Sequence, residues 1–554
     1  MLIPPRRRNF GHFFGRSRIH LGALMAMLLF AFVAITAARA EPVSPTFAEL
    51  EAAGAIIREV RINPQNIFDA SDETENNWLF RTANKLHVTT RPGVIAQLLL
   101  FKAGERVSKQ KIEESERLLR NNRFIYDVEF KATALGDGFV DVEVTTKDTW
   151  TIDLAGNLSR AGGNNKTSIG LREYNVLGTG LRVGFVRTTD ESRRGSEFDI
   201  SYPQAFDGRT LLSYARGKFD DGSRQTMSVQ RPFYALDARW AAGASAFEDD
   251  RIDSLYNAGD TIGQYRHKRK IAEAFGGWSP GLVDGGTQRF FFGARTQEDA
   301  YRVEPGRIRA AVLPVSQDLR TLYFRHEFIE DRFVKLRNRD QIGRPEFFRL
   351  GFASRLQLSY LPSAPTTWLY NAAVSNGFSF AHNRDLLVSA GIDGHLSSSG
   401  GAISQFSLAA RYYAPQGSNA LLYAALSMDR ISGGGLADQL LLGGNTGLRG
   451  YPSYYQAGER RALFSIEERG YTNWYPFRLL RVGGAVFFDY GRAWGGINQN
   501  LANPGWLADV GVGLRLALDR AAFANVLHAD VAWPLNRAPG IKPVQFLVKS
   551  EVTF

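Results

Sequence analysis

The residues best suited to chemistry in this 554-residue chain do not assemble an enzyme. His326-Glu327-Phe328-Ile329-Glu330 opens like the zinc-binding helix of a metalloprotease. Glutamate stands where the second histidine should be, so the pair of imidazoles that grips the metal is lacking. No glycine-rich phosphate loop ending in Lys-Ser or Lys-Thr occurs, the eight histidines are scattered, and Gly511-Val512-Gly513 falls inside a strand pattern. The chain holds no cysteine, which removes disulfides and thiolate metal sites together. No catalytic activity, cofactor or metal is therefore expected. What remains is ion-pair chemistry. Gly447-Leu448-Arg449-Gly450-Tyr451 sets one guanidinium among glycines, and Glu467 and Asp489 follow on two alternating strands. With Ile466 outward on one strand and Val486, Phe488 and Tyr490 outward on the other, both carboxylates turn inward. A planar guanidinium holds a carboxylate through two parallel hydrogen bonds, which suits a latch better than lysine does. Three unrelated interior charges are the plainer alternative.

The elements that must position these residues form two regions behind an export signal. Residues 1–40 read as a secretory signal peptide: Arg6, Arg7, Arg8, Arg16 and Arg18 precede the apolar run Leu21–Ala37, and Ala38-Arg39-Ala40 supplies a small-x-small cleavage pattern. A retained membrane anchor is the alternative, although the run is short for a span of roughly 20 residues. That segment holds six arginines and no acid, so the net charge of +11 falls to +5 beyond it, too little for a nucleic-acid-binding stripe. A linker over 41–54 leads into an α+β domain over 55–148. Ile57–Ile62 alternates as a strand, and Leu98–Lys102 ends an apolar helix closed by Gly104. Ser108 caps a helix over Lys109–Arg120, with Ile112, Leu119 and either Ser115 or Glu116 on its buried stripe. Strands Tyr126–Phe130 and Phe139–Val144 flank the turn Gly136-Asp137-Gly138, giving a strand, two helices and a hairpin.

From residue 149 the helical pattern stops. Stretches of about ten residues alternate apolar and polar, as in Arg209–Phe219, Asn419–Ile431 and Leu507–Leu518, which is the signature of an all-β transmembrane antiparallel barrel over 149–554. Trp368, Tyr370, Trp474, Tyr475, Trp494 and Trp506 crowd strand ends, as aromatic belts do at membrane interfaces. Roughly 20 candidate strands can be counted, within the range of bacterial barrels. Phe546, Val548, Ser550, Val552 and Phe554 share one face of the last strand, and this aromatic ending looks like the signal by which outer-membrane barrels are handed to their assembly machinery.

Leu441-Leu442-Gly443-Gly444-Asn445-Thr446-Gly447-Leu448-Arg449-Gly450-Tyr451 resembles the inward-folded loop of the BamA/TamA-type superfamily of outer-membrane assembly and secretion proteins, also called the bacterial surface antigen family. Phe487-Phe488-Asp489-Tyr490-Gly491 resembles its Phe-x-Asp-x-Gly strand, and Asn175-Val176-Leu177-Gly178-Thr179-Gly180 its Asn-x-Leu-Gly-x-Gly turn. Phe101–Glu105 with Glu114–Arg120 is similar to its periplasmic POTRA module, here in one copy. The strand count departs from the family's usual sixteen. The resemblance implies an outer-membrane barrel with its N-terminal domain in the periplasm, and an Arg449–Asp489 latch supported by Glu467. It also implies a seam where the first strand (Trp150, Ile152, Leu154) meets the last (Phe546, Val548, Val552, Phe554). Unpaired strand edges invite foreign strands, so a client strand could add there, or at the POTRA edge carrying Tyr126, Val128 and Phe130, by β-augmentation. Implied partners are outer-membrane lipid, an unfolded outer-membrane or secreted client, and periplasmic or lipoprotein accessory proteins, with no nucleic acid. Insertion of outer-membrane proteins is the leading function. Secretion of a specific partner protein is the alternative, and a passive channel, against which the POTRA-like domain argues, is the third.

Overall fold

The computed structural model describes residues 45–551 apart from 191, 363–366, 399–401, 436, 497–503, 523–525 and 538–540. The expected signal peptide, Val552 and Phe554 lie outside the described residues.

The N-terminal domain is built on a three-stranded sheet of β1 (Ile56–Gln65), β2 (Ile125–Gly136) and β3 (Phe139–Asp148). β3 lies in the middle, parallel to β1 and antiparallel to β2. Helices α1 (Phe47–Ala52), α2 (Trp78–Leu86), α3 (Pro92–Leu98) and α4 (Lys109–Arg120) complete it. Alternation on the strands buries Ile57, Val128, Val140, Val142 and Val144 against Ile95, Ile112 and Leu119 of the helices. The α4 stripe resolves to Ser115, whose Oγ accepts the Leu100 N–H at 2.9 Å, while Glu116 stays on the outside and pairs with Arg120.

Three expectations need correction here. The segment read as a linker contains α1, whose Leu50 joins the domain core. Two helices become three between β1 and β2: α2 was not expected, and although Leu79, Phe80, Ala83 and Leu86 share one face of it, only Phe80 is buried, with Trp78, Leu79 and Leu86 exposed. The helix before Gly104 ends at Leu98: Leu99 is extended, and the Ser115 hydroxyl holds the chain beyond it.

Among the described residues, twenty antiparallel strands from Ile152–Ala161 to Gln545–Glu551 close into a barrel, with a two-residue bridge at Leu282–Val283 beside them. The dyad repeat explains the wall. Ile169, Leu171, Phe185, Met227, Val229, Phe292, Leu322, Val374, Val486 and Val512 are exposed on the outside, an apolar belt that only lipid can cover favourably. The longest strands, Trp240–Asn257, Asp260–Trp278 and Gly286–Val303, have 18, 19 and 18 residues, against roughly 9–11 for a tilted span. They overshoot the belt at the end away from the N-terminal domain, where Lys268 pairs outside with Glu248 at 3.0 Å.

The turn Asn175–Gly180 docks the N-terminal domain. Asn175 Nδ2 donates to Thr90 Oγ1 at 2.8 Å, Arg91 N–H donates to the Gly178 carbonyl at 2.9 Å, and Thr90 N–H donates to the buried Asp148 carboxylate at 2.7 Å. Glu114 on α4 accepts the Leu236 N–H of a barrel turn at 2.8 Å, and burial there pushes its carboxyl pKa up. Gly178 sits at φ +71°, and a Cβ would collide with the Thr89 carbonyl. Gly178→Ala should therefore loosen the domain: limited proteolysis between Asp148 and Ile152 is expected to run several-fold faster while the circular dichroism of the barrel is unchanged.

Candidate functional site

The segment between strands Ala420–Ser432 and Arg460–Tyr471 folds back inside the barrel. A short hairpin, Leu440–Leu442 with Gln456–Gly458, carries it. Leu442, Leu448, Tyr451 and Tyr455 pack against Ala493, Leu507 and Ile541. Gly447 takes φ 102°, and a Cβ there would run into the Leu463 side chain. Leu448 takes φ 58° although it is fully buried, a left-handed conformation that surrounding packing must enforce.

That path delivers Arg449 to the barrel wall. Its Nε and Nη2 donate to the two oxygens of Asp489 at 2.7 and 2.8 Å, and Nη1 donates to Glu467 at 2.6 Å. The guanidinium stacks 3.4 Å from the centre of the Phe487 ring. Arg449, Glu467 and Asp489 are at most 6% exposed, so the charges see little water and the attraction is correspondingly strong. Sequence reasoning missed four further members. Ser465 accepts from Arg449 Nη2 at 3.2 Å and donates to Asp489 at 2.5 Å. Asp530 lies 3.3 Å from Arg449 Nη1 and pairs closely with Arg515. Arg469 Nε donates to Glu467 at 2.8 Å. All four follow the same inward alternation as Asp489, and that was the available signal. Asp509, opposite Asp489 on the next strand, is buried beneath Gly450, whose Cβ it would obstruct.

The loop touches both flanks of the barrel closure. Ser453 N–H and Oγ donate to the Gly162 and Ala161 carbonyls at 3.2 and 2.9 Å, on the turn after the first strand. Tyr451 Oη donates to the Ala508 carbonyl at 2.9 Å, on the eighteenth strand, and accepts the Asn536 N–H at 3.3 Å, on the connection that leads into the last. Between those flanks the ring closes, with Val548 opposite Arg160. Ile152 is half-buried, Leu154 and Phe546 are exposed outward. Trp150 does not belong to the seam: the first strand begins at Ile152, and Trp150 bridges Ala521 in a turn on the N-terminal-domain side, its N–H donating to the Arg520 carbonyl at 2.7 Å. β2 is an edge strand of its sheet, with Val128 buried and Phe130 half-buried, but Tyr126 is occupied, its hydroxyl donating to Asp519 at 3.3 Å.

A second insertion reaches the same wall from the opposite end. Residues 331–352 leave the tenth strand as a hairpin, Phe333–Arg337 with Pro345–Arg349, and cross the mouth beneath the N-terminal domain. On the near side Lys335 pairs with Glu116 at 2.6 Å and Asp331 with Arg117 at 3.3 Å. The tip reaches the thirteenth strand through Arg339–Asp385 at 3.0 Å, and Ile342 packs on Ala517 and Val526 of the eighteenth and nineteenth. Arg469 Nη1 donates to the Arg339 carbonyl at 3.0 Å. Arg469 thus joins the two insertions, with Glu467 as the link.

Gly277-Trp278-Ser279-Pro280-Gly281 spells the letters of a hydrolase nucleophile elbow, which sequence reasoning passed over. Ser279 is fully buried in a turn; its Oγ accepts the Gly281 N–H at 2.9 Å and lies 3.2 Å from the Thr287 hydroxyl, and among the described residues no histidine bonds to it, the contact by which a base would activate such a serine.

No family model and no curated protein matches the chain. Among solved structures, BamA from Haemophilus ducreyi lacking POTRA domains 1–3 matches at 13% identity over 90% of this chain and 84% of that one, with a TM-score of 0.38. CdiB from Escherichia coli matches at 12% over 90% and 76%, with a TM-score of 0.47. The FrpB iron transporter from Neisseria meningitidis matches at 9% over 76% and 86%, with a TM-score of 0.40. With every score below 0.5, the function is read from the site itself.

Arg449→Ala leaves the buried Asp489 carboxylate without its cation and should lower stability by about 3–5 kcal/mol, seen as an earlier denaturation midpoint. Adding Asp489→Ala should recover about 0.5–3 kcal/mol of the summed single losses; strictly additive losses would mean the two groups are not coupled. Replacing 333–349 with a short Gly/Ser linker should raise single-channel conductance in planar bilayers several-fold, and unchanged conductance would show that the hairpin does not close the mouth.

Proposed function

We propose that this chain is an outer-membrane protein of the BamA/TamA-type superfamily that inserts other barrels into the membrane by adding their strands at a lateral seam. The supporting observation is the closure between the first and last strands, Ile152–Ala161 and Gln545–Glu551, held on both flanks by an inward loop whose arginine is fixed in the wall. Where that closure opens, its strand edges present N–H and C=O groups that an incoming strand can satisfy while its apolar face enters lipid. The N-terminal domain acts as a POTRA module in the periplasm. With Tyr126 engaged by the barrel, an extended client reaches β2 only once the domain swings away. No catalysis or cofactor is part of this function. The partners are lipid, unfolded client and periplasmic or lipoprotein accessory proteins.

Secretion of one partner protein through the lumen is a second reading, favoured by the width of a twenty-strand ring whose mouth is closed by a hairpin rather than by the wall. Depletion separates the readings. Loss of many outer-membrane barrels supports insertion, loss of one secreted protein supports secretion, and an unchanged profile with altered solute uptake assigns a channel. The seam has its own test, since the chain lacks cysteine. An Arg160→Cys/Val548→Cys pair, oxidised in the periplasm, should stop insertion and recover on reduction. A cross-linked protein that still inserts clients would exclude the seam.

A further inference from the structure

The hairpin, the N-terminal domain and the inner wall enclose a chamber of about 730 Å³ at the mouth, within the range of roughly 300–1,000 Å³ usual for ligand sites. Its charge is unbalanced. Five arginines line it against two carboxylates, Asp340 and Glu346, and both acids are engaged. Glu346 accepts the N–H groups of Arg339, Asp340 and Gln341 at 3.0–3.1 Å, and Asp340 accepts the Tyr413 hydroxyl at 3.0 Å. Arg120 is satisfied by Glu116 and Asp127, and Arg411 lies 3.7 Å from Asp340. Arg123, Arg344 and Arg349 have no carboxylate within ion-pair distance among the described residues. Arg344 stacks 5.3 Å from the Tyr126 ring and Arg123 5.5 Å from Tyr174. Stacking uses the face of a guanidinium and leaves its in-plane N–H donors for an acceptor. Burial also presses on the Arg344 cation, lowering its pKa, a penalty that a bound anion would relieve.

We propose that this chamber binds the carboxylate side chains of an extended polypeptide passing between the periplasm and the lumen. The wall favours a polypeptide over a lipid headgroup. Ser375, Ser389 and Arg411 belong to the inward set of strands whose outward set, Val374 among them, faces the apolar belt, so the barrel itself stands between the chamber and the bilayer. Phe347 and Phe348 give the same chamber an apolar side, as a chain with mixed residues requires. The proposal rests on the polypeptide-handling function for the class of its occupant.

Purified full-length protein in detergent micelles tests it, with a fluorescent octapeptide of Asp, Glu and one Phe as probe and the matched Asn/Gln peptide as reference. The acidic peptide should bind at least tenfold more tightly and weaken as salt rises. Arg344→Gln/Arg349→Gln should lower that affinity at least tenfold, and Arg349→Gln alone, at an exposed position, severalfold with the barrel still folded by circular dichroism. Arg58→Gln, on the far face of the N-terminal domain's sheet beside Asp141, should change nothing. Equal binding of the two peptides, or full affinity in the double variant, overturns the site. Displacement by phosphatidylglycerol vesicles or pyrophosphate at probe concentrations reassigns it to phosphate and overturns the polypeptide occupant. Absent peptide binding beside an intact depletion phenotype removes this site alone, whereas binding beside an unchanged outer-membrane profile removes the insertion function alone.

Discussion

A guanidinium inside a protein wall is tolerated only if carboxylates come with it, and the position of Arg449 follows from that constraint. Asp489 takes two of its donors and Glu467 a third, while the Phe487 ring covers its face. An arginine satisfied on all sides has one low-energy place to be, so the loop that carries it is located to within a hydrogen-bond length. The strained backbone at Leu448 is one sign of how firmly it is held. The same loop donates to the carbonyls of Ala161 and Gly162 on one side of the closure and meets Asn536 on the other. A buried charge pair in one wall therefore sets the geometry of a strand junction elsewhere in the ring.

Glu467 and Arg469, two residues apart on one strand, extend this arrangement across the lumen. Their side chains share a face, one reaching the loop from the outer end and the other the hairpin from the N-terminal-domain end. Each insertion fills space that a barrel of this size would leave open. Their shared anchor means that a change in one alters the electrostatic surroundings of the other, without contact between the backbones.

What the sequence made legible follows from which residues face lipid. Wherever one side of a strand meets the apolar belt, alternation is strong, so the strands and the inward set containing Glu467 and Asp489 could be read directly. A count near twenty emerged for the same reason. The hairpin at 331–352 carries no such contrast: both of its faces meet polar groups, and Arg337, Asn338, Arg339 and Asp340 look like an ordinary surface turn. Helix α2 is short, nine residues, and its apolar face was passed over; it buries only Phe80, which stacks 3.9 Å from Phe68. Trp150 was expected on the first strand of the seam and sits instead against a turn, because the strand starts two positions later. Phe487 was invisible as a partner for Arg449 because an inward aromatic beside a cation has no spacing rule of its own.

The placement of that hairpin also bears on the order in which the molecule can be built. It is encoded midway round the ring, yet its tip bonds to side chains 130 and 133 positions further along the chain, on Arg469 and Tyr471. Contacts so distant in sequence form late. A half-made cylinder thus stays open at that mouth, and the stopper seats only after the closing staves stand in place.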